Sequence, residues 1–436
     1  MPYADLFRRL KEKKPASVVL VGDVILDHYL GGEVTRVSPE APVGIVDCTY
    51  DEYKPGGAAN VAANLKMLGC GVSLLGVTGN DEDARILKRL LRKEGINSKN
   101  LVPSHDRPTI KKTRVMSHGQ QLLRIDREKR NPVPKSVENA LLLLFKKELK
   151  KSAGVVLSDY NKGILTRRLL REIIALAKKA KKPVIVDPKG DSFAKYKGAD
   201  IITPNRMELE GVSGMACKTK KEIEKAARML IKKYSINTVL ATLGADGMAL
   251  FPKNGEGRFY PTLAKEIFDV TGAGDTVVAV LAAFVFGGLP LEDAVRLANF
   301  AGGLQVAHHG VVGVGTKEIA KSLAAEAGHT ELKIIDLKTA AEISRSLKRR
   351  GKKVVFTNGC FDLLHHGHIK YLQKAKKLGD CLMIGLNSDS SVKRLKGAGR
   401  PLLNEHDRSH IMAALDCVGH VIIFGELTPI KLIRAV

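Results

Sequence analysis

A chain of 436 residues carrying a formal net charge of +25 and 44% hydrophobic residues is long enough for two or three ordinary cores. No apolar run reaches the length of a membrane span and Met1-Pro-Tyr-Ala-Asp leads into charged sequence, so membrane insertion and a signal peptide are not expected and a cytoplasmic protein is. The basic balance suits anionic ligands, but with 5% aromatics, no tryptophan and lysines paired as Lys146-Lys147 or Lys178-Lys179 on helical faces, a specific nucleic-acid partner is not expected.

Val18-Val-Leu-Val opens the regular structure as a strand that ends at Gly22-Asp23, with Asp27 just beyond. Residues 31–50 alternate in short β-like runs. Gly56-Gly57-Ala-Ala-Asn60 then leads into a helix over 59–68, and Ser73-Leu-Leu-Gly-Val is the next strand. A second irregular β stretch, 109–127, carries the bases Lys111, Lys112, Arg114, Arg124 and Arg127. Strands follow at 154–158, 183–187, 200–203 and 238–242, with amphipathic helices between most of them, a rhythm that calls for a mainly parallel sheet covered on both faces. The two irregular stretches predict a small separate sheet.

Several turns in this half carry chemistry-bearing residues. Ser158-Asp159-Tyr160-Asn-Lys162-Gly163 and Asp187-Pro188-Lys189 follow strands; each reads either as facing a cleft or as a capped turn. Phe268-Asp-Val-Thr271-Gly272-Ala273-Gly274-Asp275-Thr276 enters the apolar helix 276–286. Glycines before a helix present backbone N–H groups as an anion hole, and an aspartate there is placed to accept a proton from a substrate hydroxyl. Taken alone, it could equally be an N-cap on a glycine turn. Adjacent side chains diverge, so His308-His309 is a poor metal pair. The six cysteines (48, 70, 217, 360, 381, 417) form no CxxC pair and read as reduced thiols.

Beyond an alanine-rich charged stretch at 321–335, Val354-Val-Phe-Thr predicts a buried strand. It runs into Gly359-Cys360-Phe361-Asp362-Leu-Leu-His365-His366-Gly367-His368 and then a helix from Ile369. Two imidazoles at a helix N-terminus, with Gly367 letting the backbone approach, can donate hydrogen bonds to a phosphate under attack. Further strands are expected at 381–386 and 420–424.

The glycine turn resembles the GAGD anion hole of ribokinase-type (PfkB) sugar kinases, and other features of that family occur in its order between residues 15 and 320. Gly56, Gly57 and Asn60 match its sugar-binding diglycine segment, and Asp23 and Asp27 fall where the family contacts sugar hydroxyls. Asn205-Arg206-Met207-Glu208 matches NxxE, which implies ATP contacts and an indirect role for Glu208 toward magnesium. Thr242, Gly244 and Gly247 match the TxGxxG segment beside the nucleotide. By the same resemblance Asp275 is the catalytic base, Gly272, Ala273 and Gly274 form the anion hole, and the β stretches form a lid. The lid bases, Arg114 and Arg124 among them, are then partners for a phosphate already on the sugar. The later turn resembles the HxGH signature of nucleotidyltransferases, with His365 and His368 catalytic and Phe361 and Gly367 beside ATP.

Joined in this order, with Val37-Ser38-Pro39-Glu40-Ala-Pro in the lid, the chain resembles the bifunctional heptose 7-phosphate kinase / heptose 1-phosphate adenylyltransferase family. That implies an α/β fold: a ribokinase-like three-layer domain with a small β lid (1–320), a linker (321–335) and a Rossmann-like nucleotidyltransferase domain (336–436). It implies sugar phosphate and ATP as substrates, Mg2+ in both steps, and a homodimer through the lid. The family's late triphosphate motif and two further strands have no match after Phe424, so the second domain is expected to be incomplete and its activity weak. The rival expectations are a kinase of another sugar phosphate and a non-catalytic nucleotide-binding scaffold.

Overall fold

The computed structural model describes residues 3–262, 272–306 and 313–436. Its strands in the first part are β1 (Ser17–Gly22), β2 (Val24–Val37), β3 (Gly44–Gly57), β4 (Gly71–Thr78), β5 (Leu101–Pro103), β6 (Ile110–Ser117) and β7 (Gln120–Arg127). They continue as β8 (Gly154–Ser158), β9 (Val184–Asp187), β10 (Ile201–Ile202), β11 (Thr238–Thr242), β12 (Met248–Pro252) and β13 (Arg258–Tyr260). The later part holds β14 (Val354–Gly359), β15 (Cys381–Asn387) and β16 (His420–Phe424). The chain divides into two compact units, one of residues Arg9–Ile319 and one of Ala320–Val436 together with the residues up to Arg8. Most of the 321–335 stretch lies in the helix Thr316–Lys333.

The first unit is built on a nine-stranded sheet in the order β13-β12-β11-β10-β9-β8-β1-β4-β5. From β11 to β5 all pairings are parallel, and β12 and β13 add on antiparallel. The central strands are unbroken apolar runs because both faces are covered; every residue of β8 is buried. The helix Arg167–Lys179 shows how the cover is specified. Leu169, Leu170, Ile173, Ile174 and Ala177 form one buried stripe, and the Thr166 hydroxyl caps the start by accepting from Leu169 N–H. The helix Ala273–Phe286 differs in being apolar all round. Residues 275–284 are all buried, as it packs against the helices Ala58–Met67 and Leu291–Val306, and each large side chain there contributes about 1.5–3 kcal/mol. Parallel strands end on one side, so Gly22, Ser158, Asp187 and Thr242 open onto a common crevice, where ligands of such sheets bind.

The lid is a four-stranded sheet in the order β3-β2-β6-β7. It begins earlier than the 31–50 alternation suggested: β2 and β3 are each 14 residues long and run continuously out of the core. Their length is legible only once they are paired, since their inner ends are buried and their outer ends exposed.

The second unit has a parallel sheet in the order β14-β15-β16, so among the described residues β14 lies at an edge. Ile334 makes a further parallel bridge to Val421 on β16. Leu372, Leu382, Ile384, Leu386, Met412 and Val421 form the core on one face, and the helix Ile430–Ala435 follows β16. Among the described residues no helix is long and apolar enough to cross a membrane.

Candidate active sites

In the first unit Asp275 sits in the first turn of the helix Ala273–Phe286, whose N-cap Gly272 has φ 78°. That left-handed backbone favours glycine. Gly272, Gly274 and Asp275 line the crevice at this helix start, where the first N–H groups have no intrahelical partner; the anion hole is expected at Gly272, Ala273 and Gly274. The side chain of Asp275 is buried and accepts hydrogen bonds from Asn60 Nδ2 at 2.7 Å and Tyr160 Oη at 2.7 Å. Burial pushes its carboxyl up to about 6, against the pull of those two donors. Phe268–Thr271, the rest of the motif, and His308-His309 lie outside the described residues.

Asn60, expected at the sugar, donates to Asp275, and Asp23 is likewise bonded within the protein. Asp23 is fully buried; its Oδ2 accepts from Tyr160 N–H at 2.8 Å and Lys162 N–H at 3.2 Å. It holds the 158–163 turn, and burial, followed by repulsion from Asp159, pushes it up to about 6. Asp27 does stand at the crevice. A Cβ on Gly56 would sit 2.1 Å from Asp27 Oδ2, which explains the glycine: the two strands meet at a carboxylate. Gly57 follows as the N-cap of the helix that carries Asn60.

Strand parity sorts the lid bases. Lys112 and Arg114 lie on the β6 face shared with Asp27: Arg114 Nη1 donates to Asp27 Oδ1 at 2.5 Å, and Lys112 Nζ stands 5.5 Å from the Tyr160 ring centroid. Burial, then Lys162, pushes the Lys112 ammonium down. Lys111 and Arg127 turn the other way, and both bond Asp83. Arg124 pairs in register with Arg114, yet its side chain is half exposed and closes on its neighbour Asp126 at 2.8 and 3.0 Å. Lys54 was not singled out from sequence; it pairs in register with Asp27 and adds a cation 5.5 Å from the Tyr29 ring.

On the nucleotide side, a cleft of about 490 Å³ is lined by Asn205, Arg206, Met207, Thr242, Gly244 and Gly247 from the expected motifs. The helix Leu291–Val306 adds Asn299, Gly302 and Gly303, for which a glycine pair inside a helical pattern was the available signal. The NxxE motif is a reciprocal cap: Asn205 Oδ1 accepts from Glu208 N–H and Glu208 Oε2 from Asn205 N–H, each at 2.9 Å. Arg206 ties Cys217 O, Leu243 O and Asp246 together, while Met207 is an exposed rim residue. Glu208 faces an adjoining crevice with Asp187 and Asp275. Burial, then Asp275 and Glu208, holds Asp187 well above the usual carboxylate range. Among the described residues no group of three or more acidic, histidine or cysteine side chains is set to hold a metal ion, so magnesium would arrive on the ATP phosphates. Glu208 already accepts from Lys189 Nζ at 2.6 Å and from the cap, so its contact with a metal would run through water.

In the second unit His365 is the N-cap of the helix His366–Lys376, and its Nδ1 accepts from Gly367 N–H at 3.1 Å. Acceptance at Nδ1 leaves Nε2–H as the donor. The His365 and His368 rings lie 4.0 Å apart, and the buried Phe361 meets His368 edge-on at 5.5 Å. Burial, then His365 and Lys396, pushes His368 below its ordinary value. Lys396 and Arg400, which the motif did not include, complete the walls of a pocket of about 670 Å³. Asp362 anchors this wall by accepting from Arg400 Nη1 at 2.7 Å and from Leu402 N–H at 2.7 Å.

The pfkB family carbohydrate kinase model matches residues 15–317, and the cytidylyltransferase-like model residues 356–435. The bifunctional protein HldE of Geobacter sulfurreducens is 46% identical over 418 residues, covering 96% of this chain and 85% of its own length. That of Trichlorobacter lovleyi is 44% identical over 430 residues, covering 99% and 87%. Among solved structures, ribokinase of Arabidopsis thaliana complexed with ribose and ATP superposes with a TM-score of 0.59 at 23% identity, over 71% of this chain and 99% of its own. Phosphofructokinase-2 of Escherichia coli gives 0.60 at 18%, over 72% and 100%. These two show the ribokinase-like fold of the first unit.

Proposed function

The chain belongs to the bifunctional HldE family, and from that premise we propose that it catalyses two transfers. The first unit phosphorylates D-glycero-β-D-manno-heptose 7-phosphate at the anomeric hydroxyl with ATP, giving the 1,7-bisphosphate. After a separate phosphatase has removed the 7-phosphate, the second unit transfers AMP from ATP to heptose 1-phosphate. The product, ADP-heptose, serves lipopolysaccharide core biosynthesis.

The observation that carries the kinase reading is Asp275 in the first turn of a helix whose N-terminus lines the head of the crevice. Asp275 takes the anomeric proton as the sugar oxygen attacks the γ-phosphorus and ADP leaves. The N–H groups of the glycine turn hold the charge of the transferring phosphoryl group. Asp27 orients the sugar, and Lys54, Lys112 and Arg114 receive its 7-phosphate. Magnesium, when bound, neutralises charge on the ATP phosphates. In the second unit the sugar phosphate oxygen attacks the α-phosphorus and pyrophosphate departs. His365 Nε2–H and His368 hydrogen-bond the phosphate as its charge develops.

We place the homodimer interface on the outer lid face, where Leu123 and Ile125 are 56% and 54% exposed. The six free cysteines support a cytoplasmic location. The deciding experiment couples ADP release to a panel of sugar phosphates and follows ADP-heptose by mass spectrometry. Preference for a sugar phosphate other than the heptose would overturn the substrate assignment; absence of ADP release from all of them would favour a nucleotide-binding scaffold.

A further inference from the structure

Both carboxylate oxygens of Asp275 are engaged by protein donors. Asn60 reaches Oδ2 from the helix Ala58–Met67, and Tyr160 reaches Oδ1 from the turn after β8. Tyr160 is itself fixed from two sides. Its backbone N–H donates to the buried Asp23 at 2.8 Å, and Lys112 of the lid stands over its ring at 5.5 Å from the centroid. Packing alone would explain a half-buried ring at the end of a strand. It does not explain a hydroxyl 2.7 Å from the group that must accept the substrate proton.

We propose that Tyr160 is the positioning residue of the kinase base: its hydroxyl orients the Asp275 carboxylate and favours its ionised form, and Lys112 over its ring strengthens that donation. The inference rests on the kinase reading given above. The physical argument starts from the other groups facing Asp275. Asp27 on β2 and Asp187 on β9 disfavour its charge, whereas Lys112 on β6 and the donors Asn60 and Tyr160 favour it. In a crevice where burial already raises the carboxyl, removal of one donor hydrogen bond to the charged form raises it further. Tyr160 remains a donor throughout, because burial, then Asp275, holds its phenol well above the ordinary value. A cation over an aromatic face withdraws electron density and makes the hydroxyl a better donor. Each carboxylate oxygen accepts more than one hydrogen bond, so the sugar hydroxyl can still deliver its proton to Asp275 while the new oxygen–phosphorus bond forms and the bond to ADP breaks.

The test is the pH profile of kcat/KM for the sugar phosphate in the full chain. Tyr160→Phe keeps the ring under Lys112 but removes the donor. Its acid limb should move up by about one pH unit, with activity about fivefold down at pH 6 and close to the parent at pH 9. Incorporating 3,5-difluorotyrosine at position 160 makes a stronger donor of nearly the same shape, and should move the limb the other way. That substitution decides the question alone if the Phe variant fails to fold. Limbs coincident with the parent in both proteins would overturn the inference, since a purely structural residue changes rate without shifting the limb. Asp275→Asn is run alongside. If it abolishes turnover while both Tyr160 proteins keep the parental limb, only the role of Tyr160 fails; if it leaves turnover intact, the kinase base itself is misassigned.

Discussion

Asn60 and Asp275 stand 215 residues apart in the chain and are joined by a 2.7 Å hydrogen bond from Nδ2 to Oδ2. The bond links the helix Ala58–Met67, which follows the diglycine, to the helix Ala273–Phe286 through one buried carboxylate.

The first prediction concerns that carboxylate. Asp275→Asn keeps the shape and removes the base, and kinase turnover should fall by about two or more orders of magnitude, with ATP affinity nearly unchanged. Because burial raises the group to about 6, the parent's kcat/KM should be lost as pH falls through that value and be level above it. Initial rates between pH 5 and 9 with parent and variant check both statements.

The lid provides a paired test. Arg114→Ala should raise KM for the sugar phosphate about ten- to a hundredfold, matching the roughly 1.5–3 kcal/mol of a charge-assisted contact, with less effect on KM for ATP. Lys111→Ala, on the opposite face and bonded to Asp83, should leave both constants near the parent's. Equal use of unphosphorylated heptose by the parent enzyme would show that the lid cations do not read a phosphate.

His368→Ala should eliminate ADP-heptose formation while heptose 7-phosphate is still phosphorylated at the parental rate. Product analysis on one preparation, supplied with each sugar phosphate in turn, separates the two activities. Persistence of ADP-heptose in the variant would remove the imidazole pair from the chemistry.

Arg408 should prove a stability residue of the second unit. It is 1% exposed, and its guanidinium donates to Cys360 O at 2.6 Å, Asn387 O at 2.9 Å, Leu403 O at 2.9 Å and Asp389 Oδ1 at 2.6 Å. Arg408→Met leaves buried acceptors without a donor and a carboxylate without its cation, a change that typically costs about 3–5 kcal/mol. Hydrogen exchange should rise across β14, β15 and β16, and the sheet of the first unit should keep its protection.

What the sequence by itself determined is what depends on neighbouring residues. The glycine turn before Asp275, the His365–His368 turn, the capping pattern of Asn205 and Glu208 and the apolar strand runs are all demands of local backbone and hydrophobic period, so they could be read without a partner in view. Alternation along 109–127 announced strands as well, but nothing local said which face would meet the crevice. Pairing β6 beside β2 decided that Lys112 and Arg114 face Asp27 while Lys111 turns to Asp83. Tertiary structure alone joined Asn60 and Tyr160 to Asp275, buried Asp23 beneath the turn it holds, brought Lys54 to the lid face and placed Lys396 beside the imidazoles. Each of those facts is a contact between segments remote in sequence. Such contacts exist only when the sheet order is formed, because a hydrogen bond across the chain depends on the packing of both segments as well as on the identity of each residue.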